Sequence, residues 1–222
     1  MNEIRTTIIG GREVVLHSQP ETEQDAWVLR TLKNKERGTF LEVGAYDGVY
    51  HSNTLTLEES FGWDGMLIEA VHEYAVAARR ERKARVVEAA VGTNYTPEPF
   101  YVAGQWSGLK HSTRPNLLVE HEKRNNPTIN LLTEPLACLL RWFRVPAVVD
   151  YLSIDVEGAE YPILKEYFRN PPTHFRCMTV EVGVGRDDLD KLVSLLEPHG
   201  YELCGARAWE AYFVNTKLLE AI

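Results

Sequence analysis

Cysteine is scarce in this chain, and its cysteines are not spaced for a shared metal or redox centre. The sequence of 222 residues contains 3 cysteines, and none of them forms a C-x-x-C pair. Widely spaced cysteines of odd number in apolar surroundings are typical of reduced thiols in a protein core. We therefore expect Cys138, Cys177 and Cys204 to be free core thiols, and we exclude a disulfide framework and a thiolate zinc site.

Long apolar runs are also absent. The sequence has no stretch of about 18 consecutive apolar residues, which is the length that a membrane-spanning helix needs. Residues 1–10 contain no charged segment followed by an apolar run, as a secretory signal would. We therefore expect a cytoplasmic protein that does not bind membranes.

Basic residues are outnumbered by acidic ones. The chain has 24 Lys and Arg against 32 Asp and Glu, which gives a formal net charge of −8. Nucleic acids and anionic membranes usually require a basic face. The composition thus argues against both partners and favours a small-molecule ligand. It leaves the oligomeric state open, with a homodimer among the options.

Internal repeats, low-complexity tracts and linkers are missing, which predicts a single domain over residues 1–222. The hydrophobic fraction of 44% and the charged fraction of 25% are those of an ordinary globular protein. Residues 1–37 are expected to form an N-terminal extension, with a hairpin around Gly10 and Gly11 and an amphipathic helix over residues 18–33. Gln24 and Asp25 are assigned to the solvent-exposed face of that helix.

A strand, a glycine turn and a helix start follow one another from residue 39. The run Thr39–Val43 is apolar and rich in strand-forming residues, which predicts a strand buried on both faces. Gly44 and Gly48 then bracket a tight turn, and residues 52–54 read as a helix start, where backbone N–H groups can hold a polar ligand. A dinucleotide fingerprint needs further glycines at 46 and 49, where the chain has Tyr46 and Val49, so NAD is disfavoured.

Further apolar runs predict the remaining strands of one sheet. The predicted strands are residues 66–69, 85–92, 100–103, 128–133, 147–154 and 178–182, with a hairpin-like pair at 201–204 and 211–214. Alternation of such runs with helical segments is typical of an α/β fold. One of these helices is expected to start at Asp187 and Asp188 and to run to about Leu196.

Carboxylates end several of these strands. Glu69 ends the second strand, where a carboxylate can accept both hydroxyls of a ribose. Asp155, Glu157 and Glu181 follow two neighbouring strands, at the edge where ligands of open α/β sheets bind. We expect Asp155 and Glu181 to approach closely, so that they either bind a divalent cation such as Mg²⁺ or leave one carboxylate with a raised pKa as general base. Glu160 is interpreted as a helix cap.

The segment 104–126 is the least regular part of the chain, and we interpret residues 104–133 as a lid or acceptor-binding insertion. Trp106 in this segment either shapes an acceptor pocket or fills a gap in the core. Histidines are candidate bases if no metal operates, because imidazole titrates near neutral pH. These candidates are His51, His111, His121 and His174. His111 is favoured because it lies in the proposed lid, whereas His174 is expected at the opposite end of its strand.

Four segments together resemble FkbM-type methyltransferases, a class I family that uses S-adenosylmethionine. They are Phe40-Leu41-Glu42-Val43-Gly44-Ala45-Tyr46-Asp47-Gly48, His51-Ser52-Asn53-Thr54, Gly62-Trp63-x-Gly65-x-Leu67-Ile68-Glu69 and Tyr151-Leu152-Ser153-Ile154-Asp155-Val156-Glu157-Gly158-Ala159-Glu160. The last is the most specific, because a generic strand-to-helix turn does not require its acidic spacing. The resemblance covers roughly residues 20–215.

The resemblance implies a doubly wound, mostly parallel, seven-stranded Rossmann-like sheet with an antiparallel C-terminal strand. It implies O-methylation of a natural-product or sugar hydroxyl. From their placement at the strand ends and in the proposed lid, our candidate catalytic residues are Asp155, Glu157, Glu181 and His111, with Asp155 and Glu181 as ligands if a metal is used. The implied cofactor contacts are Glu42, Gly44, Ala45, Tyr46, Asp47, Gly48, Ser52, Asn53, Thr54, Glu69, Ala70, Ala89, Ala90, Asp155 and Val156.

Two other functions remain open at this point. One is a nucleotide-dependent oxidoreductase or sugar-modifying enzyme on a similar sheet, which the missing glycine fingerprint disfavours. The other is a catalytically silent module that retains a cofactor pocket. A shared fold does not decide between them.

Overall fold

The computed structural model describes residues 5–185 and 188–220 of the chain. Its strands are β1 Arg5–Ile9, β2 Arg12–Leu16, β3 Thr39–Val43, β4 Asp64–Glu69, β5 Arg85–Glu88, β6 Ala90–Gly92, β7 Pro97–Tyr101, β8 Gly108–Leu109, β9 Thr128–Pro135, β10 Val148–Ile154, β11 His174–Glu181, β12 Tyr201–Arg207 and β13 Glu210–Asn215. Its helices are α1 Gln24–Thr31, α2 Leu55–Phe61, α3 His72–Glu81, α4 Pro115–Arg124, α5 Leu136–Trp142, α6 Glu160–Tyr167, α7 Leu189–Leu196 and α8 Thr216–Leu219.

The main sheet has seven strands in the order β12-β13-β11-β10-β3-β4-β5. Strand β3 lies between β10 and β4 and is parallel to both, and the parallel pairing continues to β11 on one side and β5 on the other. Strand β13 is antiparallel to β11 and to the edge strand β12. The expected seven-stranded, mostly parallel α/β fold with an antiparallel C-terminal strand is confirmed.

The two faces of the sheet pack against different helices because side chains alternate along each strand. Leu41 and Val43 of β3 belong to a buried cluster that includes residues of α5, α6 and α7. Phe40 of the same strand belongs to a second cluster, with residues of α1, α2 and the β1–β2 hairpin. The predicted hairpin at the N-terminal end thus covers one face of the sheet.

The prediction that one sheet contains every strand is wrong. The predicted strand at residues 85–92 divides at Ala89, whose N–H donates to the carbonyl of Glu69 (3.0 Å). Strand β5 before this point belongs to the main sheet, whereas β6 after it joins a separate four-stranded sheet in the order β6-β9-β7-β8. Close packing of Gly92 on Thr133 fixes this change of sheet, because a Cβ at Gly92 would lie 2.6 Å from the Thr133 Cβ.

The first helix is shorter than predicted, and its polar residues are buried. Helix α1 begins at Gln24 rather than Ser18, after Glu23 in a left-handed conformation. Asp25 is fully buried and accepts hydrogen bonds from the N–H of His17 (2.8 Å) and the hydroxyl of Ser18 (2.6 Å). These bonds hold the preceding residues in a loop, and the assignment of Gln24 and Asp25 to a solvent-exposed face is wrong.

The predictions for segment 104–126 and for the cysteines are met only in part, and the start of helix α7 is close to the predicted one. Segment 104–126 is ordered and contains β8 and α4. Helix α7 begins at Leu189 after Asp188, while Asp187 lies outside the described residues. All three cysteines are free, but only Cys177 is fully buried and Cys204 is exposed, so the expectation of core thiols fails for Cys204. Within the described residues, the helices are too short or too polar to cross a bilayer.

Candidate active site

The turn after β3 is built by close backbone contact. Gly44 has a φ of +87°, and a Cβ at this position would lie 1.8 Å from the carbonyl oxygen of Asp155. The N–H of Asp155 donates to the carbonyl of Val43 (3.0 Å), and the N–H of Gly44 donates to that of Ile68 (3.0 Å). Only glycine therefore lets β3, β4 and β10 end together at this edge of the sheet.

Glu42 is held in a buried network that begins helix α2. It accepts hydrogen bonds from the N–H of Asn53 (2.9 Å) and from the hydroxyls of Ser52 (3.1 Å) and Thr54. The guanidinium of Arg82, whose side chain is fully buried, lies 3.6 Å from Glu42. A buried carboxylate needs such a partner, so Glu42 serves first to fix the turn.

An inner cavity of about 40 Å³ lies beside the glycine turn, and Glu69 is its charged wall. The carboxylate of Glu69 accepts the N–H of Tyr46 and the N–H of Val71, both at 2.8 Å. The N–H of Ala70 also contacts this carboxylate, and since its two oxygens offer about four acceptor positions, room remains for a ribose hydroxyl. Burial raises the pKa of Glu69 to about 7.

The other walls of the inner cavity are mostly apolar and suit an adenine ring. They include Ile68, Ala70, Ala89, Val91 and Phe100. The cavity is far below the volume of about 300 Å³ at which typical ligand pockets begin. A nucleoside therefore fits only after part of the wall moves aside, and the wall includes Gly104, Gln105 and Ser107 of a loop.

An outer cavity of about 310 Å³ adjoins the inner one and has both polar and apolar walls. The two cavities share Gly44, Tyr46, Gln105 and Asp155 as wall residues. Aromatic residues of the outer cavity are Tyr46, Tyr50, Trp106 and Trp209, and its charged residues are Glu42, Arg114, Asp155, Glu157 and Glu181. A molecule in each cavity would meet the other at Gly44 and Asp155.

Carboxylates converge where the outer cavity meets the sheet. Ligand atoms of Asp155, Glu157 and Glu181 lie within 4.8 Å of one another. The guanidinium of Arg114 reaches into this cluster and lies 2.6 Å from Glu181, 3.0 Å from Glu160 and 3.6 Å from Glu157. The expected approach of Asp155 and Glu181 is thus present, with an arginine as their organic cation.

Burial governs the protonation of this cluster. Desolvation raises the pKa of Asp155 to about 6, and the neighbouring Glu160 carboxylate adds to the rise. Desolvation and the charge of Asp155 raise the pKa of Glu157 and of Glu181 well above the usual range. A carboxyl with a pKa near 6 is ionised at neutral pH and still basic enough to accept a proton.

Comparison with known families identifies the chain. Residues 42–203 match the family described as the methyltransferase FkbM domain. This span begins at Glu42 and contains Glu69, Asp155 and Glu181. The chain belongs to the FkbM methyltransferase family. It is accordingly a methyltransferase that depends on S-adenosylmethionine.

Solved structures with a similar fold are distant in sequence. The precorrin-6y C5,15-methyltransferase of Geobacter metallireducens is 14% identical, with 86% of this chain and 84% of that chain covered and a TM-score of 0.46. Aeropyrum pernix fibrillarin, solved with bound S-adenosyl-L-methionine, is 11% identical, with 96% and 81% covered and a TM-score of 0.47. These likenesses are too remote to assign a function. No curated protein sequence matches this chain.

The histidines of this FkbM methyltransferase are placed differently from the prediction. His111 is largely exposed and pairs with Glu98 at 2.5 Å, and neither cavity described here is lined by it. His51 lines the outer cavity, where its Nδ1 lies 3.1 Å from Oε1 of Gln105, and burial lowers its pKa. His121 is buried and stacks on Tyr101. His51 therefore replaces His111 as the histidine nearest the reacting groups.

The predicted cofactor residues divide into three groups. Gly44, Tyr46, Glu69, Ala70, Ala89, Asp155 and Val156 line the inner cavity, and Glu42, Ala45, Ser52 and Asn53 line the outer one. Asp47, Gly48, Thr54 and Ala90 line neither cavity in the described structure. Asp47 instead accepts the N–H groups of Val49 and Tyr50, at 2.9 and 2.7 Å, and so shapes the turn.

Sequence reasoning missed Arg82, Arg114 and Glu210. Arg82 follows helix α3 within a run of basic residues, yet its side chain is fully buried between Glu42 and Glu58. Arg114 lies 67 residues from Glu181 along the chain, and Glu210 faces Glu181 across an antiparallel strand pair. Local patterns contain no signal for contacts of this range.

Glu69→Gln tests the ribose contact. We expect cofactor affinity to fall by roughly 10- to 100-fold, since a hydrogen bond to a charged group is worth about 1.5–3 kcal/mol. In the unmodified protein, affinity should rise as pH increases through about 7, because the ionised form of Glu69 accepts the hydroxyls. Titration calorimetry with S-adenosylhomocysteine between pH 6 and 8 measures both effects.

Glu88→Gln is the matched control for this experiment, because Glu88 ends the adjacent strand directly beside Glu69 but is partly exposed. It should leave affinity and its pH dependence unchanged. An affinity of Glu69→Gln within twofold of the unmodified protein would remove Glu69 from the cofactor site.

Proposed function

We propose that this FkbM methyltransferase transfers the methyl group of S-adenosylmethionine to a hydroxyl of a small-molecule acceptor. The observation that carries the proposal is the junction of the two cavities at Gly44 and Asp155. The inner cavity has the walls that an adenosine needs, and the outer cavity has the polar groups that bind a hydroxylated acceptor. Asp155 borders both and lies where the reacting groups would meet.

The chain's own residues fit the cofactor. Glu69 would accept the ribose hydroxyls, and the apolar residues Ala89, Val91 and Phe100 would cover the adenine once the cavity has opened. Asp155 stands at the junction, where its negative charge suits the cationic end of the cofactor. When bound, S-adenosylmethionine supplies a methyl group that its sulfonium already activates. The protein then contributes chiefly alignment and the removal of a proton.

Asp155 is the proposed base. Methyl transfer to the acceptor oxygen would break the carbon–sulfur bond of the cofactor and leave its electron pair on sulfur, so the acceptor hydroxyl must give up its proton. The hydroxyl proton passes to the carboxylate of Asp155, whose pKa of about 6 leaves it ionised at neutral pH. His51 lines the same cavity and is the second candidate for this proton.

The oxygen ligands of Asp155, Glu157 and Glu181 would suit Mg²⁺ by their chemistry. Arg114 already binds Glu181 at 2.6 Å, and a metal would have to displace its guanidinium. We propose that Arg114 supplies the positive charge of the cluster. Asp155 and Glu181 would hold the ion if a metal were used, and it would then lower the pKa of the acceptor hydroxyl.

Chelation distinguishes a cluster whose cation is Arg114 from a cluster that binds Mg²⁺. We expect incubation with EDTA followed by dialysis to leave methyl transfer within twofold of the untreated rate, because the arginine remains in place. The rate is measured with methyl-labelled S-adenosylmethionine before and after addition of Mg²⁺. A loss of activity that Mg²⁺ restores would place a metal on Asp155 and Glu181.

The proposed function itself is tested with the same labelled cofactor. The protein is incubated with extract of the cells that produce it, and the labelled product is isolated and its methylated atom identified. A methyl ether on a small molecule is the expected result. Methyl label on nitrogen, carbon or a macromolecule would contradict the proposal, and cofactor binding without any transfer would indicate a silent module.

A further inference from the structure

The outer cavity has more carboxyl groups than cations. Glu42 is paired with Arg82 outside the cavity, and Arg82 is itself shared with Glu58, so that Arg114 is the cation that lines the cavity beside Glu157 and Glu181. Arg114 is also bound to Glu160, behind the cavity wall. An acceptor that enters the cavity therefore meets acidic groups that outnumber the cations around them.

A buried acidic side chain behind the wall adds to this surplus. Glu210 is 1% exposed and stands directly opposite Glu181 in the sheet, so both side chains lie on the same face. Its Oε1 has no hydrogen-bond partner among the described residues. Of the charged groups that act most strongly on Glu210, only Arg114 is positive. A buried polar atom without a partner is rare and indicates that the cluster lacks a donor.

Aromatic rings stand at the same cavity. Tyr50 and Trp106 line it and remain 41% and 43% exposed. The guanidinium of Arg124 lies 5.5 Å from the centre of a Trp106 ring, which shows that this indole can face a cation. Aromatic faces beside carboxylates are a recurring arrangement for binding alkylammonium groups.

We propose that the acceptor carries a protonated amino group in addition to the hydroxyl that is methylated, and that Glu157 and Glu181 bind this group. The inference rests on the proposed function, because it assigns the outer cavity to the acceptor. A protonated nitrogen has no lone pair and cannot take the methyl group, so it anchors the molecule while a hydroxyl reacts. Asp155 remains with the cofactor and the reacting oxygen, since it alone of these three borders both cavities.

The contacts of Arg114 favour an organic cation over a metal ion. Its nitrogens donate hydrogen bonds to Glu181 at 2.6 Å and to Glu160 at 3.0 Å, and Glu157 lies 3.6 Å away as an ion pair. A magnesium ion needs oxygens at about 2.0–2.1 Å in octahedral order. The ammonium group of the acceptor would extend a pattern of hydrogen bonds that the arginine has already begun.

Matched sugars test this charge preference on the protein loaded with S-adenosylhomocysteine. Glucosamine and glucose differ by an ammonium group in place of a hydroxyl, and glucuronate adds a carboxylate. We expect glucosamine to bind at least about tenfold more tightly than glucose, and glucuronate to bind most weakly, as measured by ligand-observed NMR. Equal binding of glucosamine and glucose, or no binding of any of the three, would overturn the proposal.

Variants of Glu157 and Glu181 test whether these two carboxylates cause the preference for glucosamine over glucose. Glu157→Gln and Glu181→Gln should each reduce the preference for glucosamine at least about threefold while S-adenosylhomocysteine still binds. Glu120→Gln, a change on the exposed side of α4, should keep the full preference. Retention of the preference in both cavity variants would overturn the assignment. Displacement of glucosamine by millimolar Mg²⁺, lost in Asp155→Asn, would show that the cluster takes a metal instead.

The true product provides an independent measurement. The labelled product from cell extract should be retained by a strong cation exchanger at pH 5, where an amine is protonated. Label in the unretained fraction would contradict the ammonium group while supporting methyl transfer. If no labelled product forms, the proposed function fails, and the sugar series still decides the charge preference of the cavity.

Discussion

Replacement of Gly44 by alanine should lower the thermal midpoint by roughly 10 °C, and cofactor binding should disappear along with the fold. The added Cβ would lie 1.8 Å from the carbonyl oxygen of Asp155, a contact that forces β3 and β10 apart. The left-handed φ of +87° adds a cost of about 1–2 kcal/mol for any residue with a side chain. Together these effects should cost about 3–5 kcal/mol, and about 2–4 °C is lost per kcal/mol in a chain of this size.

The close packing at Gly44 also decides how a larger side chain at this position would act. If the glycine only made room for the ligand, a valine at position 44 would block the cofactor and leave the fold mostly intact. The space beside Gly44 is instead filled by the backbone of Asp155. Thermal denaturation and cofactor titration on the same sample therefore should show parallel losses.

Gly11→Ala is the matched control. Gly11 has a similar φ of +80°, but a Cβ there would meet nothing within 4 Å. The Gly11→Ala protein should lose only about 1 kcal/mol of its free energy of unfolding, from the left-handed backbone conformation, and should keep full cofactor affinity. A Gly44→Ala protein as stable as Gly11→Ala and unable to bind the cofactor would restore the ligand-contact explanation.

Asp155→Asn should reduce the rate of methyl transfer by roughly 10²- to 10⁴-fold, the usual contribution of a general base. Asparagine has the same shape and keeps the backbone contacts with Gly44, but it cannot accept the hydroxyl proton. In the unmodified enzyme, activity should fall as pH decreases through about 6, where the carboxylate becomes protonated. Single-turnover transfer of labelled methyl from pH 5 to 8 measures both effects.

The contribution of Asp155 to stability should change with pH in the direction opposite to that of activity. Its pKa is about 6 in the folded protein against 3.8 as the ordinary value. A raised pKa means that the folded state binds the proton more tightly, so this carboxyl favours folding at low pH and loses that contribution as pH rises from about 4 to 6. Asp155→Asn should therefore be no less stable than the unmodified protein at pH 7.

The prediction for activity has a clear contradicting outcome. An Asp155→Asn enzyme that methylates the true acceptor at the rate of the unmodified enzyme would show that this residue takes no part in the chemistry.

The strand ends of this fold could be read from the sequence, because they depend on local patterns. The run before Gly44 and the run that ends at Glu69 both carry apolar residues closed by a carboxylate, and both are strands of the main sheet. The sequence does not show where a strand leaves that sheet. At Ala89 the chain changes sheets within one continuous apolar run, for which only long-range packing is responsible.

The ion pairs of the site could not be predicted from the sequence, for a related physical reason. Arg114 and Arg82 look like ordinary surface residues in their own segments, and burial appears only when distant carboxylates are placed around them. His111 failed as a candidate base because an irregular segment gives no period from which the direction of a side chain can be inferred. Its partner is Glu98, on β7 of the four-stranded sheet.

The walls of the two cavities come from different kinds of segment, and this difference has an evolutionary consequence. The inner cavity is lined mainly by residues at the ends of β3, β4 and β10 and by buried residues of β6, β7 and β8, where a substitution also disturbs a sheet. The far side of the outer cavity is contributed by Gln19, Val184 and Trp209 from connecting segments and by Asn116 and Leu117 from α4. Connecting segments tolerate substitution and insertion far better than buried strands do. Lineages that descend from this enzyme can therefore acquire new acceptors while the methyl donor stays the same, and laboratory evolution toward a chosen acceptor should begin at these five positions.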